Sequence, residues 1–388
     1  MSAPLLIDLS HTSHTHAKTG VQRVARAFIT HATTPSEGIT YDPYEKKWRT
    51  LETWEYNNLT HTNLSEKRGA KWPISAQIKG RAKRFLNSST LDLKGRALFV
   101  PEIFSPLVNS QFSELFACIN GPRVAIFHDA LALSHPDYTP PKTLIRFPSY
   151  LQELARFDAI VTISAFSKNQ LLDYWNWAGL KNTPEIKVIP LGIDTPPLRS
   201  QTRTSPRPSI LCVGSIEGRK NHYALLQACE RLWEDGADFE LVLIGLPQNQ
   251  TAHQALSLIE TLKAKQRPLI YKGAANDTVK EEAYQTCRFT IYPSLCEGYG
   301  IPIAESLARA KPCICLGSGA MGEIAQGGGC LTLESGDVTS IQNGIKELLS
   351  NPRLLEDLTQ KAKARPIKSW ETYVQEVTQY IESVHRRS

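Results

Sequence analysis

No apolar run in this 388-residue chain is long enough to cross a bilayer, which excludes a membrane-spanning helix. The N-terminus, Met-Ser-Ala-Pro-Leu-Leu-Ile-Asp, has no basic n-region and no cleavage site, so it reads as a mature strand rather than a signal peptide. The eight cysteines include no C-x-x-C pair. Cys212, Cys313 and Cys315 lie in apolar, strand-like runs, where a free thiol acts as a small hydrophobe. A reduced, cytoplasmic chain is expected, not a disulfide framework. No G-x-G-x-x-G turn follows the first strand-like run, which removes a dinucleotide oxidoreductase. Net charge is only +6, and no recognition-motif aromatics accompany the basic residues. Nucleic acid is therefore not an expected partner.

The length suits two domains rather than one core. Short apolar runs alternate with helical patterns throughout. Leu5–Asp8, Ala97–Val100, Val124–Phe127, Ala159–Ile163 and Lys187–Pro190 read as buried strands of a first domain, residues 1–195. Ile210–Val213, Phe239–Ile244, Leu269–Tyr271, Phe289–Tyr292 and Cys313–Leu316 read the same way in a second, residues 209–366. Such alternation gives doubly wound α/β domains. Residues 196–208 are polar, proline-rich and aperiodic, as a linker should be. In the last segment, 367–388, Trp370, Tyr373, Val374, Val377, Tyr380, Ile381 and Val384 recur at three- and four-residue steps. They predict an amphipathic helix that Ser369 can cap.

Glu297 and Glu305 stand eight positions apart in Cys296-Glu-Gly-Tyr-Gly-Ile-Pro-Ile-Ala-Glu305. A strand ends just before this run, and Pro302 predicts the start of a helix. Glu297 then lies in the turn and Glu305 near the first helical turn. The free amides and positive dipole end of such a helix attract anions. Two carboxylates beside them suit a ligand that carries hydroxyls as well as phosphates, and a sugar nucleotide is such a ligand.

The run Pro293-Ser-Leu-Cys-Glu-Gly-Tyr-Gly-Ile-Pro-Ile-Ala-Glu-Ser-Leu-Ala308 resembles the donor-site motif of family 4 glycosyltransferases, with Tyr299 where phenylalanine is usual. Gly214-Ser-Ile-Glu-Gly-Arg219-Lys220-Asn221 resembles the family's Gly-x4-Arg-Lys-Asn element. His128-Asp129, followed by Leu133-Ser-His135-Pro136, resembles its His-Asp segment, most closely in the mannosyltransferase-B-like branch. The resemblance implies the α/β GT-B fold: two Rossmann-like doubly wound domains facing across a cleft, with the C-terminal helix crossing back. It implies retaining transfer from a nucleoside-diphosphate sugar. Glu305 would hold the ribose, and Glu297 with the amides after Gly298 would hold the sugar. Arg219 and Lys220 would neutralise the leaving diphosphate. His128 would approach from the other domain. Gly20, Gly214, Asn221, Gly245, Gly273, Tyr299, Gly300 and Ile301 complete the donor-binding set that it implies. No D-x-D motif is present, so no metal or other cofactor is expected.

Four further readings stay open. His11, His14 and His16 could be metal ligands, acceptor contacts or part of an exposed loop. Ser164 is most simply a helix N-cap. Glu323 and Gly327–Gly329 read as loop. Residues 67–86 mix Lys67, Arg68, Lys71, Lys79, Arg81, Lys83 and Arg84 with Trp72, Ile74, Ile78 and Phe85. Such a segment can lie on an anionic membrane surface. The best-fitting activity is transfer of mannose from GDP-mannose to a glycan or lipid-linked acceptor in surface polysaccharide synthesis. The alternatives are a UDP-sugar-dependent transferase, a GT-B-fold nucleotide-sugar epimerase and an inactive sugar-nucleotide-binding subunit.

Overall fold

The computed structural model describes residues 4–17, 19–60, 71–85, 91–93, 95–194, 207–248 and 250–387. Most of the expected linker, and Lys67 and Arg68, lie outside these residues. The chain forms two compact units. One comprises Met1–Ala130, Pro141–Leu191 and Trp370–Ser388, the other Leu131–Pro140 and Gly192–Ser369.

The first unit is built on seven strands: β1 (Leu5–Asp8), β2 (Ser36–Asp42), β3 (Lys47–Thr50), β4 (Leu98–Val100), β5 (Arg123–Phe127), β6 (Ala159–Thr162) and β7 (Glu185–Val188). Their order is β3-β2-β1-β4-β5-β6-β7, parallel except for the antiparallel β2–β3 pair. Strands buried on both faces read as near-continuous apolar runs, as β4 does throughout and β1 and β6 do up to their last residue. The helix Trp370–Ser383 belongs to this unit. Its buried face includes Tyr373, Val374, Val377 and Ile381. Tyr373 meets Phe28 of the helix Gly20–Thr30 edge-on, with ring centroids 5.9 Å apart, and Arg23 lies over Trp370.

The second unit holds β8 (Ser209–Val213), β9 (Glu240–Ile244), β10 (Leu269–Tyr271), β11 (Phe289–Tyr292), β12 (Cys313–Leu316) and β13 (Cys330–Leu333), all parallel. The order β10-β9-β8-β11-β12-β13 reverses direction between β8 and β11. Ligands of open α/β sheets bind at the carboxyl ends of the strands flanking such a reversal. In the first unit the reversal lies between β1 and β4.

Four strands depart from the expected set. β2 and β3 form an edge hairpin whose sequences, Ser-Glu-Gly-Ile-Thr-Tyr-Asp and Lys-Trp-Arg-Thr, are too polar to show as apolar runs. β13 follows the Gly327–Gly329 turn. β7 begins at Glu185, two residues before the expected Lys187. Glu323, read as loop, lies in the helix Gly319–Ala325. Among the described residues no helix is long and apolar enough to cross a membrane.

Candidate active site

The loops after β8 and β11 are tied together at the reversal point of the second sheet. Leu295 donates its backbone N–H to the Arg219 carbonyl at 2.9 Å, and the Arg219 guanidinium donates to the Cys296 carbonyl at 2.6 Å. Arg219 and Lys220 sit on a short 3-10 turn, Gly218–Lys220. Asn221 then takes a left-handed conformation, φ 58°, which asparagine tolerates better than most residues. Its side chain donates to the Gly336 carbonyl at 2.7 Å. Asn221 thus fixes the turn that presents the two cations.

Glu297 is buried, and one of its oxygens collects three donors. Lys220 Nζ lies at 2.5 Å, an Arg219 nitrogen at 2.7 Å and the Tyr292 hydroxyl at 2.8 Å. Lys220 also donates to the Tyr292 hydroxyl. Burial alone would raise the carboxyl, but Lys220 and Arg219 outweigh it and hold Glu297 at about 2. Burial likewise opposes the Arg219 charge, and Glu297 and Glu217 outweigh it. Glu297 and Arg219 are therefore ionised at neutral pH.

Gly300, at φ 110°, turns the chain into the helix Ile301–Ala308, and its carbonyl accepts from Ile303 N at 3.0 Å. The helix starts at Ile301, one residue before the expected Pro302. Glu305 is buried on it. It accepts from the Tyr284 hydroxyl at 3.2 Å and lies 3.3 Å from Lys280 Nζ. Gly298 is buried in the turn, and Tyr299 is half-buried against the cluster of Tyr292, Ile303 and Ile324.

Gly214, Gly245 and Gly273 lie together at the carboxyl ends of β8, β9 and β10. Gly245 donates to the Gly273 carbonyl at 2.9 Å, and a Cβ at Gly245 would stand 1.8 Å from the Gly214 oxygen. Backbone packing accounts for glycine at position 245.

In the first unit the reversal point carries a second polar cluster. Glu102, just after β4, accepts from the backbone N–H groups of His11 at 2.9 Å and Thr12 at 2.7 Å, and so pins the loop after β1. Asp8, at the end of β1, accepts from the backbone and hydroxyl of Ser10. Both carboxylates are buried. Burial, and then the nearby Glu102, push Asp8 up to about 7. The same loop leads to Gly20, the first residue of its helix. His128, after β5, donates through Nε2 to the Pro101 carbonyl at 2.8 Å, which leaves Nδ1 an acceptor. Burial holds this ring down to about 4, so it is neutral. Ser164 caps its helix by accepting from Ser167 N at 3.0 Å.

The loop holding the three other histidines is not exposed. His14 stacks on Trp72 with centroids 4.1 Å apart, and its Nε2 is 2.7 Å from Glu55. His16 Nε2 meets Asn58 at 2.9 Å. Aromatic packing from Trp72 covers this stretch, a contact with no local signal. Among the described residues, no three His, Cys, Asp or Glu side chains are grouped as metal ligands. Sequence reasoning missed Tyr292, Tyr284, Lys280, Asp8 and Glu102. Asp8 and Tyr292 had a usable signal, a polar group ending a buried parallel strand.

The family description "Glycosyl transferases group 1" matches residues 196–365. The serotype-specific mannosyltransferase WbdA of Escherichia coli is 26% identical over 346 residues, covering 83% of this chain and 40% of that protein. The chain thus spans about two fifths of the length of that relative. O-antigen chain mannosyltransferase B of Escherichia coli is 26% identical over 258 residues, 64% of this chain and 67% of that one. Among solved structures, HepE of Anabaena in complex with UDP has a TM-score of 0.68 at 15% identity, covering 98% of this chain and 99% of that chain. Sucrose-phosphate synthase of Thermosynechococcus elongatus has a TM-score of 0.66 at 14% identity, covering 98% of each chain. These last two bear on the fold alone. Residues 196–365 thus match the glycosyl transferases group 1 family, and the likeness to the two solved structures gives the chain the GT-B fold.

Proposed function

We propose that the chain transfers mannose from GDP-mannose, with retention, to a glycan or lipid-linked acceptor in polysaccharide synthesis. The observation that carries the donor half is the pairing of Arg219 and Lys220 with Glu297 beside the helix start at Ile301. Two cations and a helix N-terminus meet the charge of a diphosphate without a metal. Glu305 meets ribose hydroxyls, and Glu297 meets the sugar. Gly20, Gly214, Gly273, Gly298, Tyr299 and Ile301 are proposed to line the donor through backbone contacts. His128, neutral, accepts a hydroxyl through Nδ1. The mannose assignment rests on the two mannosyltransferase relatives.

The test is thermal stabilisation by GDP, UDP and ADP, each with a chelator present. A ligand that binds only the folded state raises Tm with its affinity. A shift with GDP alone supports the reading. A shift with UDP alone favours the UDP-sugar alternative, in keeping with the UDP bound to HepE. A shift that vanishes with chelator overturns metal independence, and no shift at all overturns the donor site.

A peripheral membrane contact is part of the proposal. The helix Ile74–Lys83 buries its small residues, Ala76 and Gly80, and exposes its large apolar ones. Ile74 is 75% exposed, Ile78 60% and the following Phe85 87%. Lys71, Arg81 and Arg84 are exposed near them, while Lys79 and Lys83 are paired with Glu52. Exposed apolar side chains with a basic fringe fit an anionic bilayer. Co-sedimentation with phosphatidylglycerol vesicles should be lost in Ile78→Ser/Phe85→Ser. Unchanged sedimentation would refute the contact.

A further inference from the structure

The segment Leu131–Pro140 follows β5 and precedes the helix Pro141–Leu154, both in the first unit, yet it packs as part of the second. Its shape is set locally. Leu131–Ser134 makes one helical turn, closed where the His135 N–H donates to the Leu131 carbonyl at 2.9 Å. Pro136, whose φ is already helical, opens a 3-10 turn that ends at Tyr138. Thr139 then ties back, its hydroxyl donating to the His135 carbonyl at 3.2 Å and its N–H to the Pro136 carbonyl at 3.0 Å. These bonds make a short strap that carries the Tyr138 ring.

That ring lies against Gly218. A Cβ at Gly218 would stand 2.7 Å from Tyr138 Cδ1 and 2.8 Å from its Cε1, against about 3.5–4.0 Å for carbon atoms in contact. Gly218 has no positive φ, so its backbone does not call for glycine. The ring does. Gly218 opens the turn Gly218–Lys220 that carries both cations. Loops of the second unit hold this turn by hydrogen bonds. Thr251 accepts from the Gly218 N–H at 3.1 Å, Leu295 donates to the Arg219 carbonyl, and Asn221 reaches the Gly336 carbonyl. Tyr138 adds an apolar contact from chain that continues directly from His128 and Asp129.

We infer that Tyr138 is a positioning residue for Arg219 and Lys220. Its ring backs the turn, and through the turn it sets where the two cations point. Both converge on one Glu297 oxygen, at 2.7 and 2.5 Å. Charge-assisted hydrogen bonds tolerate little displacement, their lengths spanning only about 2.7–2.9 Å. A turn free to drift into the space of a missing ring would loosen them. The inference rests on the proposal that these cations hold a diphosphate, and adds to that site a residue from the first half of the sequence. Tyr138 acts through the turn and not on the nucleoside. Its removal should therefore weaken a diphosphate and spare a monophosphate.

Titration calorimetry on the full chain, with a chelator present, gives Kd for GDP and GMP and for UDP and UMP. The ratio of monophosphate to diphosphate Kd reads the second phosphate. Tyr138→Ala should shrink that ratio about ten-fold, the loss of about one charge-assisted hydrogen bond, with the monophosphate Kd unchanged. Tyr138→Phe keeps the ring carbons and should keep the wild-type ratio. Gly218→Ala should shrink it as Tyr138→Ala does, because the new methyl meets the ring. The double variant should lose no more than either single one, since the methyl then has the space of the ring. A ratio that survives Tyr138→Ala, that falls equally in Tyr138→Phe, or that falls by the product of both losses in the double variant overturns the inference. Equal weakening of mono- and diphosphate overturns it too, as the mark of a general loss of structure. Should Tyr138→Ala fail to fold, Gly218→Ala and Tyr138→Phe decide. A wild type without preference for diphosphate sinks the donor reading and the inference with it. A wild-type preference that the variants leave intact sinks the inference alone.

Discussion

One oxygen of Glu297 lies 2.5 Å from Lys220 Nζ and 2.7 Å from an Arg219 nitrogen. The carboxylate occupies the cations that a diphosphate would need, so donor binding is an exchange of one anion for another. Breaking a buried ion pair from one side leaves the other charge uncompensated. Glu297→Gln should therefore bind GDP or UDP several-fold more tightly, because the cations lose their internal partner. The same substitution should lower kcat by about 100-fold or more, as removal of a polar contact to the reacting group does elsewhere. Titration calorimetry and turnover assays check the two halves. Weaker nucleotide binding in Glu297→Gln would count against the exchange.

Lys220→Met removes a cation and leaves Tyr292 and Arg219 on Glu297. Transfer should fall about 100-fold or more, and nucleotide stabilisation should shrink. Turnover and thermal shift near wild type would remove Lys220 from the diphosphate site.

Glu305 is fixed by Tyr284 and Lys280. If it holds ribose hydroxyls, Glu305→Gln should weaken GDP or UDP about ten-fold, the cost of about one charged hydrogen bond. The penalty should vanish when the 2′,3′-dideoxy nucleotide is used. An equal penalty with the dideoxy compound would mean that Glu305 acts structurally.

Asp8 gives a pH signature. Its carboxyl sits at about 7 in the folded chain against 3.8 unfolded, through burial and Glu102. The folded form holds its proton more tightly, so the stability from this group is complete below pH 3.8 and is lost as pH rises through 7. Asp8→Asn removes that loss. The Tm of the variant minus that of the wild type should grow from pH 4 to 7 and then level off. His128 and His222, held down by burial to about 4 and about 3, act in the opposite direction. They do so in both proteins and cancel in the difference. A difference independent of pH would show that Asp8 does not titrate in this range.

Gly245 and Gly273 separate packing from strain. Alanine at 245 would bring Cβ to 1.8 Å from the Gly214 oxygen, whereas alanine at 273 meets open space at φ 60°. Gly245→Ala should cost about 3 kcal/mol or more, as severe overpacking does. Gly273→Ala should cost about 1–2 kcal/mol from its left-handed backbone. Calorimetric melting of the unit that holds both should rank them in that order.

The parallel strands were legible because strands buried on both faces are largely apolar, as in Leu98–Val100 and Cys313–Leu316. The hairpin β2–β3 was not, because β3 is only half-buried along its length and so carries polar residues. Glu297, Arg219 and Lys220 could be singled out because each follows a strand, and the structure does bring these three together. Tyr292 is marked as a polar residue ending a buried strand, but its pairing with them is not, since nothing local says which neighbour a buried tyrosine hydroxyl will meet. Lys280 and Tyr284 are read only once the helix Asp277–Thr286 is seen beside Glu305. The buried histidine loop turns on Trp72, which is distant in sequence. Pairings across many residues are set by packing, and periodicity carries no record of them.

The helix Trp370–Ser383 comes after every other described element in the sequence, yet it covers the helix Gly20–Thr30. A ribosome working at about 5–20 residues per second takes roughly ten to forty seconds to traverse Gly192–Ser369. During that interval the apolar side chain of Phe28 lacks its final cover. The later-made unit can thus finish folding first, while the earlier-made one waits for Trp370–Ser383 to emerge. Vectorial synthesis runs against the order of completion here, and Trp370 and Tyr373 act as the closing step for the first unit.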